Sequence, residues 1–376
     1  MVWGDFFMRK IIAVLGILVL FASKAEGVDL SAKSACVIAA DSCQVVYEKN
    51  SSERLPMAST TKMMTALVAA ESDMWEDVVT VSVNAQNQEG SKIYLKAGEK
   101  IKMPDLVCGL MLNSGNDAAV AIAEHISGNC EAFAEEMTKK AKELGAVNTS
   151  FKNPNGLDSE GHFSTAYDLA LIGRAVLENE RLAPIVSTKE MKIENEDGTV
   201  TYLRNHNKLL WRYEGMEGIK TGYTKRSGRC LVTSAKRDNV RLVAVTLNAP
   251  DDWKDHTDML DYGFSICDNK AVVKKGETLK EVTVDGKLLG LVSGEALTAV
   301  AVNGVVSDCD VVVHKEEELR APINKNEQVG VARLWHNGYL TDETPLFADR
   351  DIFENEEKKG FFGKVMIFLK KMLHFG

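Results

Sequence analysis

A serine followed three residues later by a lysine is the first pattern in this sequence that suits covalent chemistry. Ser59 is the only serine in the chain with a lysine, Lys62, at the third position after it. Because residues i and i+3 are neighbours on a helix, Lys62 can remove the hydroxyl proton of Ser59 if burial or another cation keeps its amine neutral. The pair therefore predicts a nucleophile and its base, although an amphipathic helix with a surface lysine shows the same spacing.

A second hydroxyl and an amide side chain stand close together further along the chain. Ser114 and Asn116 flank Gly115, between a predicted helix over 105–112 and another over 118–126. On a tight glycine-containing turn, a serine and an asparagine two residues apart can point the same way. A polar loop between two helices is the alternative interpretation.

The third motif, Lys220-Thr221-Gly222, is followed by alternating segments at 229–235 and 240–247. This alternation predicts an antiparallel sheet with the motif on its edge strand. A glycine there lets a substrate backbone lie close and extend the sheet, while the lysine and threonine offer a positive charge and a hydroxyl to a carboxylate. An exposed edge lysine beside a bulge glycine is the alternative.

The elements that must position these motifs begin with a hairpin and a helix. Strand-like segments at 35–39 and 44–47 predict a hairpin that leads into the Ser59 helix. A second hairpin is predicted over 191–205, around an Asp-Gly turn. The helix should bury one face, whose members recur at helical spacing: Met63, Leu67 and Ala70.

The three motifs together, in this order, resemble those of the penicillin-binding protein and serine β-lactamase superfamily. The serine-glycine-asparagine variant of the second motif is similar to that of the low-molecular-weight D-alanyl-D-alanine carboxypeptidases. The resemblance covers about residues 30 to 265. Four segments carry it most closely, namely 55–62, 114–119, 153–157 and 218–224.

The resemblance implies an α+β, β-lactamase/transpeptidase-like catalytic domain. Its antiparallel sheet would be flanked by helices on both faces, its first and last strands would be neighbours, and the site would lie between sheet and helical cluster. The implied activity is that of a serine DD-carboxypeptidase, which removes the terminal D-alanine from peptidoglycan stem peptides. Such an enzyme is acylated and inhibited by penicillin and other β-lactams, and requires no metal or organic cofactor.

The resemblance also implies a role for each matching residue. Ser59 would be the acylating nucleophile, Lys62 its base and Ser114 the proton relay to the departing amine. Lys220 would add positive potential that keeps Lys62 neutral. Asn116 would hold the substrate amide, and Thr221 with Thr224 would bind the terminal carboxylate. Backbone amides of Ser59 and Tyr223 would form the oxyanion hole. The predicted substrate-binding residues also include Lys220 and Gly222.

Two other functions remain open at this stage. A β-lactamase needs an efficient deacylating water, which class A enzymes position with a glutamate on a loop, and no matching motif occurs over 153–168. A non-enzymatic wall-binding protein would keep the fold without reacting at Ser59.

Composition is that of a globular chain long enough for two domains, since 45% of its 376 residues are hydrophobic and 26% are charged. A net charge of −9 argues against a nucleic-acid partner. Zinc is not expected, because the sequence contains neither Cys-x-x-Cys nor His-Glu-x-x-His. Cys36 and Cys43 can face each other across the first hairpin, but a domain of this size needs no disulfide there.

The predicted domain order begins with a signal peptide over 1–26, where a basic pair precedes a short apolar run and small residues. Export then places the chain at the outer face of the bacterial cytoplasmic membrane, unless the segment is an uncleaved anchor. The catalytic domain should span 27–265. A small β-rich domain over 266–350 is predicted from three turn signals in strand-like sequence: Asp285-Gly286, Asn303-Gly304 and Asn337-Gly338.

The last segment, 351–376, is predicted to include an amphipathic helix that anchors the protein peripherally on the membrane surface. Most large apolar side chains after residue 360 fall on one half of a helix, and lysines fall on the other. The alternative is a helix docked on its own protein. Apolar positions of the predicted face are Phe361, Phe362, Val365, Phe368, Leu369, Met372 and Leu373.

Overall fold

The computed structural model describes residues 28–194, 198–316 and 318–353. The predicted signal peptide lies outside the described residues, as does all of the predicted amphipathic helix beyond residue 353. Within the described part, no helix is long and apolar enough to cross a membrane.

The first part of the chain contains nine strands and eight α-helices among the described residues. The strands are β1 (Ser34–Ala39), β2 (Val45–Lys49), β3 (Val78–Thr80), β4 (Lys100–Lys102), β5 (Glu190–Glu194), β6 (Val200–Arg204), β7 (Met216–Thr224), β8 (Gly228–Arg237) and β9 (Val240–Leu247). The helices are α1 (Lys62–Glu71), α2 (Val83–Gln86), α3 (Met103–Leu112), α4 (Asn116–Ser127), α5 (Cys130–Glu143), α6 (Ala166–Glu178), α7 (Leu182–Ser187) and α8 (Asp252–Ile266).

The central sheet is antiparallel, with the strand order β2-β1-β9-β8-β7. The first strand of the chain therefore lies beside the last strand of this domain, and β7 forms one edge. Side chains alternate across β1: Cys36 and Ile38 join the core beneath α6, whereas Val37 packs with Met259 and Leu260 of α8. This arrangement confirms the predicted α+β, β-lactamase/transpeptidase-like fold.

Helix α1 differs from the prediction of a helix with one buried face. Eight of its ten residues are buried, including Lys62 and Thr65, because α3, α4, α5 and α6 surround it. The amphipathic alternative is wrong for the same reason. Lys62 is not a surface lysine, since its side chain is fully buried.

The second part of the chain is all β. Its strands are β10 (Cys267–Val273), β11 (Thr278–Val284), β12 (Lys287–Ser293), β13 (Leu297–Val302), β14 (Cys309–Lys315), β15 (Gln328–His336) and β16 (Tyr339–Ala348). Five of them form an antiparallel sheet in the order β11-β12-β16-β15-β14, and β10 pairs with β13.

Two of the three predicted hairpins in this part are confirmed. Asp285-Gly286 joins β11 to β12, and Asn337-Gly338 joins β15 to β16. The prediction was wrong at Asn303-Gly304, where the chain turns tightly but β13 pairs with β10 while β14 belongs to the larger sheet. A local turn signal does not determine which sheet the next strand joins.

Packing of the second part continues past the predicted boundary at residue 350. Ile352 is buried and exchanges backbone hydrogen bonds with Ile323. The two parts touch at the tip of the first hairpin, where the backbone N–H of Val300 donates to Asp41 Oδ2 at 3.3 Å. All seven cysteines are free, so no disulfide joins Cys36 to Cys43.

Candidate active site

Ser59 lies in a single 3-10 turn, Ala58–Thr61, that leads directly into α1. Ala58 adopts a φ of +47°, which is unusual for a residue with a side chain. Lys62 is the first residue of the α-helix, and its Nζ lies 2.9 Å from Ser59 Oγ. The short spacing of the motif therefore produces direct contact between hydroxyl and amine.

Two carbonyl oxygens hold the Lys62 amine in addition to the Ser59 hydroxyl. Asn116 Oδ1 accepts from Nζ at 2.7 Å, and the backbone oxygen of Asn155 accepts a further, short hydrogen bond. Burial lowers the pKa of Lys62 well below its usual value, the nearby Lys220 cation lowers it further, and Asp117 opposes both effects. The site therefore favours a neutral amine.

When the Lys62 amine is neutral, its hydrogen bonds determine that the proton passes from Ser59 to Lys62. It has two N–H donors and one lone pair, whereas the oxygens of Asn116 and Asn155 can only accept. Donation to these two oxygens leaves the lone pair for the hydroxyl proton of Ser59. The arrangement can thus activate Ser59 as a nucleophile without a metal, histidine or carboxylate as the base.

The second motif is held by backbone contacts around the start of α4. Ser114 has a φ of +61°, and Asn116 receives support from both its groups: its N–H donates to Ser91 O at 2.7 Å and its Nδ2 to Glu89 O at 2.5 Å. Asp117 accepts the backbone N–H of Ile93 at 3.1 Å, which ties the same neighbouring segment to the helix. These contacts orient the asparagine oxygen towards Lys62.

The third motif lies on the edge strand, as predicted. Lys220 is buried, its Nζ donates to Thr221 O at 3.0 Å, and burial lowers its pKa to about 7. A Cβ at Gly222 would lie 3.0 Å from the backbone nitrogen of Ser59, so only glycine permits this approach of β7 to the nucleophile. Within the described residues, the outer side of β7 has no partner strand and can accept an added strand.

A groove of about 530 Å³ brings these features together. Five of the predicted residues line it, namely Ser59, Ser114, Thr221, Gly222 and Tyr223. Three others, Lys62, Asn116 and Lys220, are buried behind this surface, and the first two contact each other.

Thr224 is the predicted residue that the structure does not bring into the groove. Its hydroxyl contacts Asp158 Oδ1 at 3.1 Å and Ser227 Oγ at 3.0 Å. The carboxylate of Asp158 would repel a substrate carboxylate that approached the Thr224 hydroxyl. Thr224 and Thr221 are three residues apart on a strand, so their side chains also point to opposite faces.

Sequence reasoning missed several residues that line the groove. They are Ser91, His206, Arg229, Asp252 and Trp253. Arg229 pairs with Tyr223 across the two strands, and its guanidinium lies 3.3 Å from Asp252. The only signal in the sequence was the position of Arg229 beside the third motif, because Ser91 and His206 come from distant loops and Asp252 and Trp253 from the start of α8. Asn155 fell within a quoted segment, but its contact with Lys62 could not be read from spacing.

No group of three or more histidine, cysteine, aspartate or glutamate side chains suited to a metal ion occurs in the described part of the chain. A serine with a buried, neutral lysine base, on a β-lactamase/transpeptidase-like fold, defines a serine acyl-transfer enzyme.

Comparison with known proteins agrees with this class and narrows it. The chain belongs to the D-alanyl-D-alanine carboxypeptidase family, which matches residues 21–251, while residues 268–354 match the C-terminal domain of penicillin-binding protein 5. It is 37% identical to D-alanyl-D-alanine carboxypeptidase DacF of Bacillus subtilis, over 91% of this chain and 89% of that protein. It is 32% identical to DacC of Escherichia coli, over 98% of this chain and 96% of the other.

Solved structures show the same relationship. Penicillin binding protein 5 from Haemophilus influenzae has a TM-score of 0.64 and 28% identity, over 87% of this chain and 98% of that one. The Streptomyces K15 DD-transpeptidase has a TM-score of 0.60 and 28% identity, over 63% of this chain and 98% of that one.

Proposed function

We propose that this chain removes the terminal D-alanine from peptidoglycan stem peptides through an acyl-enzyme on Ser59. Family membership makes it a serine-type D-alanyl-D-alanine carboxypeptidase. The observation that carries the mechanism is the 2.9 Å contact between Ser59 Oγ and the buried Lys62 amine, whose pKa is strongly lowered.

The proposed reaction has two half-reactions. Ser59 Oγ attacks the carbonyl carbon of the penultimate D-alanine while Lys62 takes the hydroxyl proton, and backbone amides of Ser59 and Tyr223 stabilise the oxyanion. The C–N bond then breaks, and a proton passed through Ser114 allows D-alanine to leave as an amine. Water hydrolyses the ester, which releases the shortened peptide and restores the Ser59 hydroxyl.

Substrate binding is assigned to the edge strand and the residues beside it. Asn116 would hold the substrate amide, Lys220 would supply positive potential, and Thr221 would bind the terminal carboxylate. Gly222 allows the peptide to lie along β7. This assignment leaves out Thr224, because its hydroxyl is already bonded to Asp158.

The carboxypeptidase proposal is favoured over β-lactamase activity by the surroundings of the reactive pair. Among the described residues, Lys62 Nζ bonds to a serine hydroxyl, an asparagine side chain and a backbone carbonyl, and to no carboxylate. A glutamate that activates water for deacylation is therefore not in contact with the base. β-Lactams should form slowly hydrolysed esters on Ser59.

A direct test measures D-alanine release from a tripeptide that ends in D-Ala-D-Ala. We expect turnover by the wild type and none by Ser59→Ala. A matched peptide ending in L-alanine serves as the substrate control. Release of D-alanine by Ser59→Ala at the wild-type rate would contradict the assignment.

We further propose that the protein is exported by the signal over 1–26 and held at the outer face of the cytoplasmic membrane by the helix within 351–376. This proposal is supported by the sequence pattern of the two segments and by the location of peptidoglycan substrates. Mass spectrometry of the mature N-terminus tests the first half, because a cleaved signal should leave a chain that begins close to residue 26 or 27.

A further inference from the structure

A second groove opens beside the active-site groove and shares one residue, His206, with it. Its volume is about 570 Å³. Six residues line it, and three of them are cationic: Arg204, Asn205, His206, Lys208, Trp211 and Arg212. Such a concentration of positive charge is unexpected in a chain whose net charge is −9.

Two of these cations are available to a ligand. Arg204 is already paired with Glu190 at 3.3 Å and its guanidinium lies 5.4 Å from the centre of the Trp211 ring. Lys208 and Arg212 are exposed, and neither side chain makes a hydrogen bond or ion pair within the ranges that the structure describes. An anion that enters this groove therefore meets two uncompensated positive charges.

The groove is built on a fixed loop. Asn205 is buried, and its Nδ2 donates to two backbone carbonyls at 3.1 and 3.2 Å while its Oδ1 accepts the N–H of Asn207 at 2.9 Å. The N–H of Arg204 donates to Asn113 Oδ1 at 2.9 Å, directly beside Ser114. These contacts hold the cationic loop against the turn that carries the second catalytic hydroxyl.

The shared residue places the groove at one end of the substrate. His206 lines the active-site groove together with Thr221, which the proposed function assigns to the terminal carboxylate. We propose that the groove is a capture site for the C-terminal carboxylate of the substrate, in which Lys208 and Arg212 attract the anion before it reaches Thr221. This inference rests on the proposed function.

Electrostatics gives the expected size of the effect. A cleft lined by one sign of charge raises the local concentration of an oppositely charged ligand by a factor of roughly 10 or more. The effect weakens as salt screens exposed charges. Because capture precedes chemistry, it should appear in KM and not in kcat.

Paired charge reversals provide the test. Lys208→Glu with Arg212→Glu changes the groove, and Lys225→Glu with Arg226→Glu changes the net charge equally on exposed residues of the β7–β8 turn. For a peptide ending in D-Ala-D-Ala at low salt, the groove variant should show a roughly 10-fold higher KM with kcat little changed. The turn variant should stay close to wild type, and roughly 0.5 M salt should bring all three KM values together.

An uncharged serine-directed inhibitor, a peptide boronic acid without a carboxylate, separates capture from damage to the site. Its inhibition constant should be equal in the wild type and both variants. Lys208→Gln with Arg212→Gln removes the two positive charges without adding negative ones. This neutral variant should raise KM less than the charge reversal does.

Several results would overturn the capture site. They are equal KM values for the groove and turn variants, a KM increase that salt does not reduce, or equal weakening of boronic acid binding in the groove variant. Each of these leaves an active wild type. Failure of the wild type itself to release D-alanine would instead refute the proposed function.

Discussion

The protonation state of one buried amine determines whether Ser59 can react. Lys62 is enclosed by oxygens that only accept hydrogen bonds, apart from the hydroxyl of Ser59 itself. Burial and the Lys220 cation both lower the pKa of this amine, which favours its neutral form. The residue-scale predictions below replace either Lys62 or the neighbouring Lys220.

Lys62→Ala should lose acylation and keep its fold. Without Lys62 the Ser59 hydroxyl has no base, and general-base assistance contributes typically ~10²–10⁴-fold to such a step. Stopped-flow acylation by a fluorescent penicillin measures the loss, and a thermal melt verifies folding. Lys62→Met keeps most of the side-chain volume and should lose as much rate. A rate within a few-fold of wild type in either variant would place the base elsewhere.

The pH profile of acylation should rise and then fall. The rate rises with pH as Lys62 loses its proton, which occurs well below the usual lysine range. It falls above about 7, where Lys220 loses the positive charge that attracts the carboxylate. Lys220→Arg should extend the alkaline limb upward, because a guanidinium stays charged.

Replacement of Lys220 by a neutral residue should move the acid limb of the pH profile of acylation. Lys220→Met removes the cation whose repulsion lowers the pKa of Lys62, so that pKa should rise and the acid limb should move to higher pH. An acid limb that stays in place would show that Lys220 does not act on the base.

Residue types and short spacings predicted more of the site than of its surroundings. Ser59 and Lys62 are three residues apart, and local helical geometry was enough to bring them together. Asp158 reaches Thr224 from a separate loop, so the sequence could not show that the predicted carboxylate ligand was already bonded. His206 and Trp253 line the groove from distant elements for the same reason.

Among the elements, the loop before α6 packs directly against the 3-10 turn that carries Ser59. Gly156 has a φ of +86°, and a Cβ there would lie 2.1 Å from the backbone oxygen of Ala58. The neighbouring Asn155 supplies the carbonyl that accepts from Lys62. Any side chain at position 156 must therefore move either the Ser59 turn or the carbonyl that holds the base.

Gly156→Ala should reduce penicillin acylation by roughly 10²-fold, the cost typical of a displacement of about 1 Å at a reacting pair. Gly128→Ala is the matched control, because Gly128 has a similar φ of +79° with no atom within 4 Å of the added Cβ. Both variants should lose about 1–2 kcal/mol of stability from backbone strain. Similar acylation rates in the two variants would refute control of the nucleophile by this loop.

Most elements were predictable, and the failures have tertiary causes. Alternation and turn residues identified the edge strand β7 and two hairpins of the second part. The turn at Asn303-Gly304 did not give a hairpin, because β13 pairs with β10 and not with β14. Burial on all sides of α1 also came from neighbouring helices, which a single-helix pattern does not show.

At the scale of the whole molecule, the proposed peripheral membrane anchor can be tested through its energetics. Burial of large apolar side chains on an interface contributes at most ~1.5–3 kcal/mol each, and ordering a residue costs ~1–2 kcal/mol. Lysines near an anionic leaflet add ~1 kcal/mol each. These magnitudes favour reversible binding in which helix formation and membrane binding occur together.

Truncation after Phe353 tests the anchor and keeps Ile352, which pairs with Ile323 in the β-rich part. The wild type should float with anionic vesicles, and the truncated protein should not, at unchanged turnover of a small D-Ala-D-Ala peptide. Phe368→Glu places a charge within the predicted apolar face and should act as the truncation does. Equal flotation would refute the anchor, and loss of activity on truncation would favour a helix docked on the protein.

The most direct test of the central claim is peptide mapping by mass spectrometry after incubation with penicillin. The account predicts one long-lived adduct per chain, on the peptide that contains Ser59, with the intact mass increased by one penicillin molecule. Ser59→Ala should show no adduct under the same conditions. An adduct on any other residue, or rapid release of hydrolysed drug from the wild type, would contradict a stable acyl-enzyme at Ser59.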